Sequence, residues 1–110
     1  MKIDTSKLLK GMLEAASGVL KKKWPKAKEY AENEFKKLLA EAQHLAQLKA
    51  DGKINEQEAV YLMDLQRNAA RAVLLTIEGL GILAVEGAIN AALAVVRDTI
   101  NAALGGWKIL

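Results

Sequence analysis

The chain contains no cysteine. That excludes a disulfide scaffold and every reaction that runs through a thiolate. Proline occurs once, at Pro25, so almost nothing blocks an α-helix from within. Aromatic residues make up only 5% of the 110 positions, and they are not interleaved with basic residues as a base-stacking surface would require. There is no glycine-rich loop of the kind that cradles phosphate after a strand. The single histidine, His44, lies between Gln43 and Leu45 with no partner spacing for a metal site or a nucleophile–base pair. An uninterrupted apolar run of ~20 residues, the length of a simple spanning helix, is also missing. Glu78, Glu86, Arg97 and Asp98 break the one apolar tract. At the N-terminus Asp4, Lys7, Lys10 and Glu14 interrupt each apolar run before it reaches the length of a signal-peptide core. A cytoplasmic protein without a signal peptide is therefore expected.

What remains is 52% apolar residues, mostly Ala, Leu, Val and Ile. This is too apolar for a disordered chain and about one domain in length. The expectation is an all-α protein, a single helical domain over residues 1–110.

The net charge of +3 is unevenly distributed. Residues 1–37 carry ten Lys against five Asp and Glu, a balance of +5, and the rest of the chain is slightly acidic. The excess sits in Lys21, Lys22, Lys23, Lys26 and Lys28. Such a cluster attracts phosphate, of nucleic acid or of anionic lipid, or simply forms a solvated corner of the surface; these five are the candidates for contact with an anionic surface such as a membrane. All are Lys, which lacks the forked geometry that Arg offers for reading bases. Sequence-specific nucleic-acid binding is not expected.

Three helices can be read along the chain. Asp4, Thr5 and Ser6 are successive candidate N-caps, and Leu8, Met12, Ala15 and Val19 follow at helical spacing. This gives a first helix over about 5–23. Trp24 precedes a proline and is expected to be extended, with Pro25 opening a second helix over about 25–50. Its apolar stripe is expected to run through Ala27, Tyr30, Ala31, Phe35, Leu38, Leu39, Ala42, Leu45 and Ala46. Glu29, Glu32, Glu34, Lys36 and Lys37 are placed on the polar face. Asp51-Gly52 is a stop and turn, and Asn55 with Glu58 has the spacing of a capping box. Helices two and three should therefore form an antiparallel hairpin. No strong breaker follows until Gly105, so the third helix is expected to span about 56–104, ~75 Å at ~1.5 Å per residue.

The strongest pattern lies in that last segment. Asn-Ala-Ala recurs at Asn68, Asn90 and Asn101, and Ile-Asn-Ala-Ala-Leu occurs at Ile89–Leu93 and Ile100–Leu104. The period of 11 residues is ~3.67 per turn, so equivalent positions stay aligned along a helix. One column is small throughout: Ala70, Gly81, Ala92 and Ala103. Beside it runs a large apolar column that includes Leu74, Val85 and Val96. Ala84-xxx-Ala88-xxx-Ala92 has small-xxx-small spacing, and Gly79, Gly81 and Gly87 are spaced as helix-packing glycines. A small column lets another helix approach closely. Two short helices cannot cover a ~75 Å helix that is apolar on several sides, which calls for a further partner.

Two motifs invite chemistry and lead nowhere. Asp51-Gly52-Lys53-Ile54-Asn55 with Glu58 resembles the second half of an EF-hand calcium loop. The first half departs from it, because Gln47 and Lys49 stand at ligand positions and lysine cannot ligate calcium. Glu78 and Glu86 are carboxylates in apolar surroundings, but ~80° apart around a helix, so a shared-proton pair is not expected. Arg71 or Arg97 could meet them from a neighbouring helix, or they could face solvent.

The expectation is thus a non-enzymatic, self-assembling helical protein, a structural or adaptor subunit, with no cofactor, metal or small-molecule substrate. Its partner would be another copy of itself, through Ala70, Gly81, Ala92, Ala103, Leu74, Val85 and Val96. The alternative is a membrane-active protein of a holin-like or pore-forming kind.

Overall fold

The computed structural model describes residues 4–110, and among these the chain is helical with no strand. The elements in order are α1 (Thr5–Leu20), a 3-10 turn (Lys21–Lys23), α2 (Trp24–Ala50), α3 (Glu56–Leu75) and α4 (Ile82–Ala103). Asp4 caps α1, its carboxylate accepting the Lys7 N–H at 3.2 Å. Between α1 and α2 the helical turns run on without a loop, yet the chain reverses. A straight helix over 5–50 would be ~69 Å long, and the longest extent of the molecule is 44 Å.

The reversal sits at Lys21, whose φ of 49° and ψ of −113° leave the helix. Trp24 does not become extended. It is helical, with φ −56° and ψ −44°, because the restriction imposed by a following proline is a preference that packing overrides. Pro25 then sits in the first turn of α2, where its missing N–H leaves no bond unmade.

The α2–α3 hairpin forms as read from the sequence. Gly52 has the positive φ of 68° that the turn needs. Asn55 Oδ1 accepts the Glu58 N–H at 2.8 Å, and Glu58 Oε1 accepts the Asn55 N–H at 3.0 Å, which completes the capping box.

The single long C-terminal helix does not exist. α3 stops at Leu75 and α4 starts at Ile82. Thr76 Oγ1 donates back to the Val73 carbonyl at 2.6 Å. Gly79 takes φ +87°, a region in which a side chain is strained. Gly81 is the extended N-cap of α4, at φ −83° and ψ 166°. Ile77 and Leu80, between them, are buried and close the end of the core. Gly79 and Gly81 are therefore turn residues, not helix-packing ones.

The result is a four-cornered bundle in which α1 packs on α2 and α4, and α3 packs on α2 and α4. The α1–α4 pair is the most closely packed of these and α3–α4 the least. One core runs through all four helices, with Met12, Phe35, Leu38, Leu45, Met63, Leu74, Val96 and Ile100 fully or almost fully buried. Burying each such side chain contributes about 1.5–3 kcal/mol. Glu34, placed on the polar face from sequence, is buried too and accepts from Lys37 Nζ at 3.1 Å.

The tight α1–α4 pairing has a residue-level cause. A Cβ at Gly11 would lie 2.9 Å from Val95 Cγ1, and one at Gly87 would lie 3.2 Å from Val19 Cγ1. Each helix thus sets a valine over a glycine of the other, in antiparallel register.

Candidate functional site

The α3–α4 junction holds the densest set of polar side chains. A cleft of about 270 Å³ is lined by Asp64, Arg67, Asn68, Arg71, Glu86 and Ile89. Arg71 Nη1 meets Glu86 Oε1 at 2.6 Å, and Arg71 Nη2 donates to Asn68 Oδ1 at 2.7 Å. Arg67 Nη2 donates to Asn90 Oδ1 at 3.2 Å. Of the pairings open from the sequence, Arg71 with Glu86 is the one present, and it forms between α3 and α4 of one chain, although the sequence suggests a single helix for both residues. The two guanidiniums tie α3 to α4, the least closely packed of the helix pairs. The cleft contains no nucleophile set against a base, the arrangement that covalent chemistry requires.

The other candidate groups are engaged elsewhere. Glu78 is exposed in the turn between α3 and α4. His44 is exposed on α2, with Nδ1 3.3 Å from Glu41 Oε1. In the calcium-like loop Asp51 Oδ1 accepts from Gln47 Nε2 at 3.0 Å, while the Glu58 carboxylate serves the capping box. Lys49 reaches across to donate to the Leu104 carbonyl at 2.6 Å, and its ammonium lies 4.5 Å from the centre of the Trp107 ring. It neutralises the C-terminal end of α4, where a cation is favoured. No group of three or more His, Asp or Glu able to hold a metal occurs among the described residues.

The expected self-association face lies largely inside the chain. Ala70, Leu74, Val85, Ala92 and Val96 are each 0% exposed. Gly81 is exposed at the start of α4, and Ala103 is half-buried at its end. Ala70 and Ala92 now belong to two different helices, so the column is not a stripe on one helix. The repeat still has a use. Its Ile and Leu positions in α4, Ile89, Leu93, Ile100 and Leu104, are buried. Two of its asparagines bind across elements: Asn90 accepts from Arg67, and Asn101 holds the C-terminal tail. Asn101 Oδ1 accepts the N–H of Ile109 at 3.1 Å and of Leu110 at 3.3 Å. Lys108 N–H, beside them, donates to Glu56 at 3.2 Å.

The lysine cluster is brought to one end of the bundle. Lys21, Lys22 and Lys23 form the 3-10 turn, and Lys26 lies in the first turn of α2, all exposed. Lys28 is exposed one turn further on, beside a groove between α1 and α2 that also contains Trp24 and Lys10.

One surface was missed in the sequence. On α3, positions 58, 61, 65, 68, 72 and 75 are all exposed. They are Glu58, Tyr61, Leu65, Asn68, Ala72 and Leu75, spaced alternately by three and four. Tyr61 is 63% exposed, Leu65 47% and Leu75 39%. The signal was the 3-4 spacing itself, obscured because α3 is apolar on its inner face as well. Comparison with family models, curated proteins and solved structures returns no match.

Proposed function

We propose that the protein is a non-enzymatic, self-associating helical module, a structural or adaptor subunit, whose copies meet along the outer face of α3. The observation that carries this reading is the exposed Tyr61–Leu65–Ala72–Leu75 seam. A helix on the outside of a bundle normally presents polar residues outward. Apolar side chains alternating by three and four residues are instead the pattern of a helix that packs against another helix. Asn68, in the middle of the seam, is of the type that sets register in such pairings.

This reading replaces the one built on the small column. No uncovered ~75 Å helix exists, because the chain folds back between α3 and α4 and covers most of its own apolar faces. From Tyr61 to Leu75 the seam is about 21 Å long at ~1.5 Å per residue. One helix face of this length is a small interface beside the ~800 Å² per partner of a standard one, and a micromolar dissociation constant is proposed for it.

Sedimentation equilibrium tests the proposal. At ~100 µM, well above a micromolar dissociation constant, the mass should approach twice 11.9 kDa. Leu65→Asp, at an exposed position, should fold normally and sediment as a monomer. Ala92→Glu should fail to fold rather than dissociate, because it puts an unpaired charge in the core, costing several kcal/mol. A wild type that stays at 11.9 kDa at that concentration ends the reading.

A further inference from the structure

The fold brings two stretches far apart in sequence to the same end of the bundle. One is the lysine turn, Lys21, Lys22 and Lys23, with Lys26 behind it. The other is the start of α4, where Leu83 is 85% exposed and Ile82 58% exposed. Their proximity follows from two contacts. Lys23 Nζ lies 2.8 Å from where a Cβ of Gly79 would stand, and Val19 sits against Gly87. Leu83 is one helical turn before Gly87, and Lys23 lies against the turn that leads into Ile82, so the lysine turn and the start of α4 share the end of the bundle where α1 passes into α2.

The two segments 20–26 and 76–83 carry four lysines and one carboxylate, Glu78. None of the four lysines enters an ion pair among the described residues. A leucine exposed at the tip of a well-packed bundle is unusual, and beside unpaired lysines it has a specific use. Ammonium groups meet the phosphates of an anionic lipid headgroup layer, while neighbouring apolar side chains enter the acyl boundary beneath.

We propose that this end of the bundle docks peripherally on an anionic lipid surface, with Lys21, Lys22, Lys23 and Lys26 holding phosphate and Ile82 and Leu83 entering the bilayer interface. A spanning segment is not involved, and no described helix is long and apolar enough to cross a membrane. Nucleic acid offers the same phosphate but no apolar phase for Leu83. The docking end is separate from the α3 seam, so it does not depend on self-association.

The test is flotation of the full chain with vesicles of phosphatidylcholine alone and of phosphatidylcholine with phosphatidylglycerol. Binding should require the anionic lipid and weaken by about tenfold or more when salt shortens the screening length from ~10 Å at 0.1 M toward ~3 Å at 1 M. Lys22→Glu should reduce binding strongly, whereas Lys53→Glu, in the turn at the opposite end, changes the net charge equally and should leave binding close to wild type. Leu83→Asp should also reduce binding, by about tenfold, with its melting curve unchanged because the side chain is exposed. The monomeric Leu65→Asp variant should keep the same lipid dependence. Equal binding to neutral vesicles, or equal effects of Lys22→Glu and Lys53→Glu, would overturn the proposal. So would Leu83→Asp binding as well as wild type while duplex DNA competes with the vesicles, since that result describes a polyanion site.

Discussion

At Gly11 and Gly87 the absence of a side chain decides how closely two helices approach. Gly11 receives Val95, and Gly87 receives Val19. Glycine within a helix costs about 1 kcal/mol relative to alanine, so Gly11 must return more than that through the close α1–α4 contact. Gly18, on the same helix, has nothing within 4 Å of its would-be Cβ. The two positions should therefore respond oppositely to the same substitution. Gly18→Ala should stabilise by about 0.5–1 kcal/mol through helix propensity. Gly11→Ala should destabilise, because a valine is stiff at χ1 and overpacking costs about 1–3 kcal/mol. Urea denaturation of both variants measures this, and a Gly11→Ala protein as stabilised as Gly18→Ala would show that the contact is not tight. Glu34 shows what residue type alone leaves open. Its charge placed it on the polar face, but its position is one turn before Leu38 and three residues after Ala31, so the core stripe includes it.

The helices of the first half could be read from local signals because those signals agree with one another. Asp4, the Pro25 start, Asp51-Gly52 and the Asn55–Glu58 box each satisfy a helix end using nearby residues. The α3–α4 break was hidden because the 11-residue repeat fits an unbroken helix and gives no warning of a reversal. The deciding feature is tertiary: Ile77 and Leu80 gain burial only if the chain turns there, and Gly79 provides the required φ. The turn at Lys21 is the reverse case, since a break was expected at Trp24 but lies three residues earlier, on a residue poorly suited to it. A non-glycine residue in such a backbone region costs about 1–3 kcal/mol. Lys21→Gly should therefore stabilise the protein, by about 1 kcal/mol after the greater flexibility of glycine in the unfolded chain is counted. A raised urea midpoint with an unchanged slope would bear this out; a lowered midpoint would mean that the Lys21 side chain contributes more than its backbone costs.

For the whole molecule, composition and periodicity were enough for the all-α class, but not for deciding which apolar surface faces inward. Ala70, Ala92 and Val96 carry the same signal whether they meet α1 and α2 of their own chain or a helix of another. Once the chain reverses between α3 and α4, that column is internal, and the outer seam of α3 is left for a partner. The central claim is that this seam is where two copies meet. Because the chain has no cysteine, Ala69→Cys introduces a single spin-label site on exposed α3, beside the seam and close to its midpoint. A central position lies near its counterpart in either a parallel or an antiparallel pairing, with helix axes ~8–10 Å apart. Dipolar spectroscopy on the singly labelled protein should give one intermolecular distance below about 25 Å, allowing for the two label arms on axes at that spacing, and the signal should vanish in the Leu65→Asp background. A singly labelled wild-type background with no dipolar modulation at ~100 µM, well above a micromolar dissociation constant, would contradict the claim.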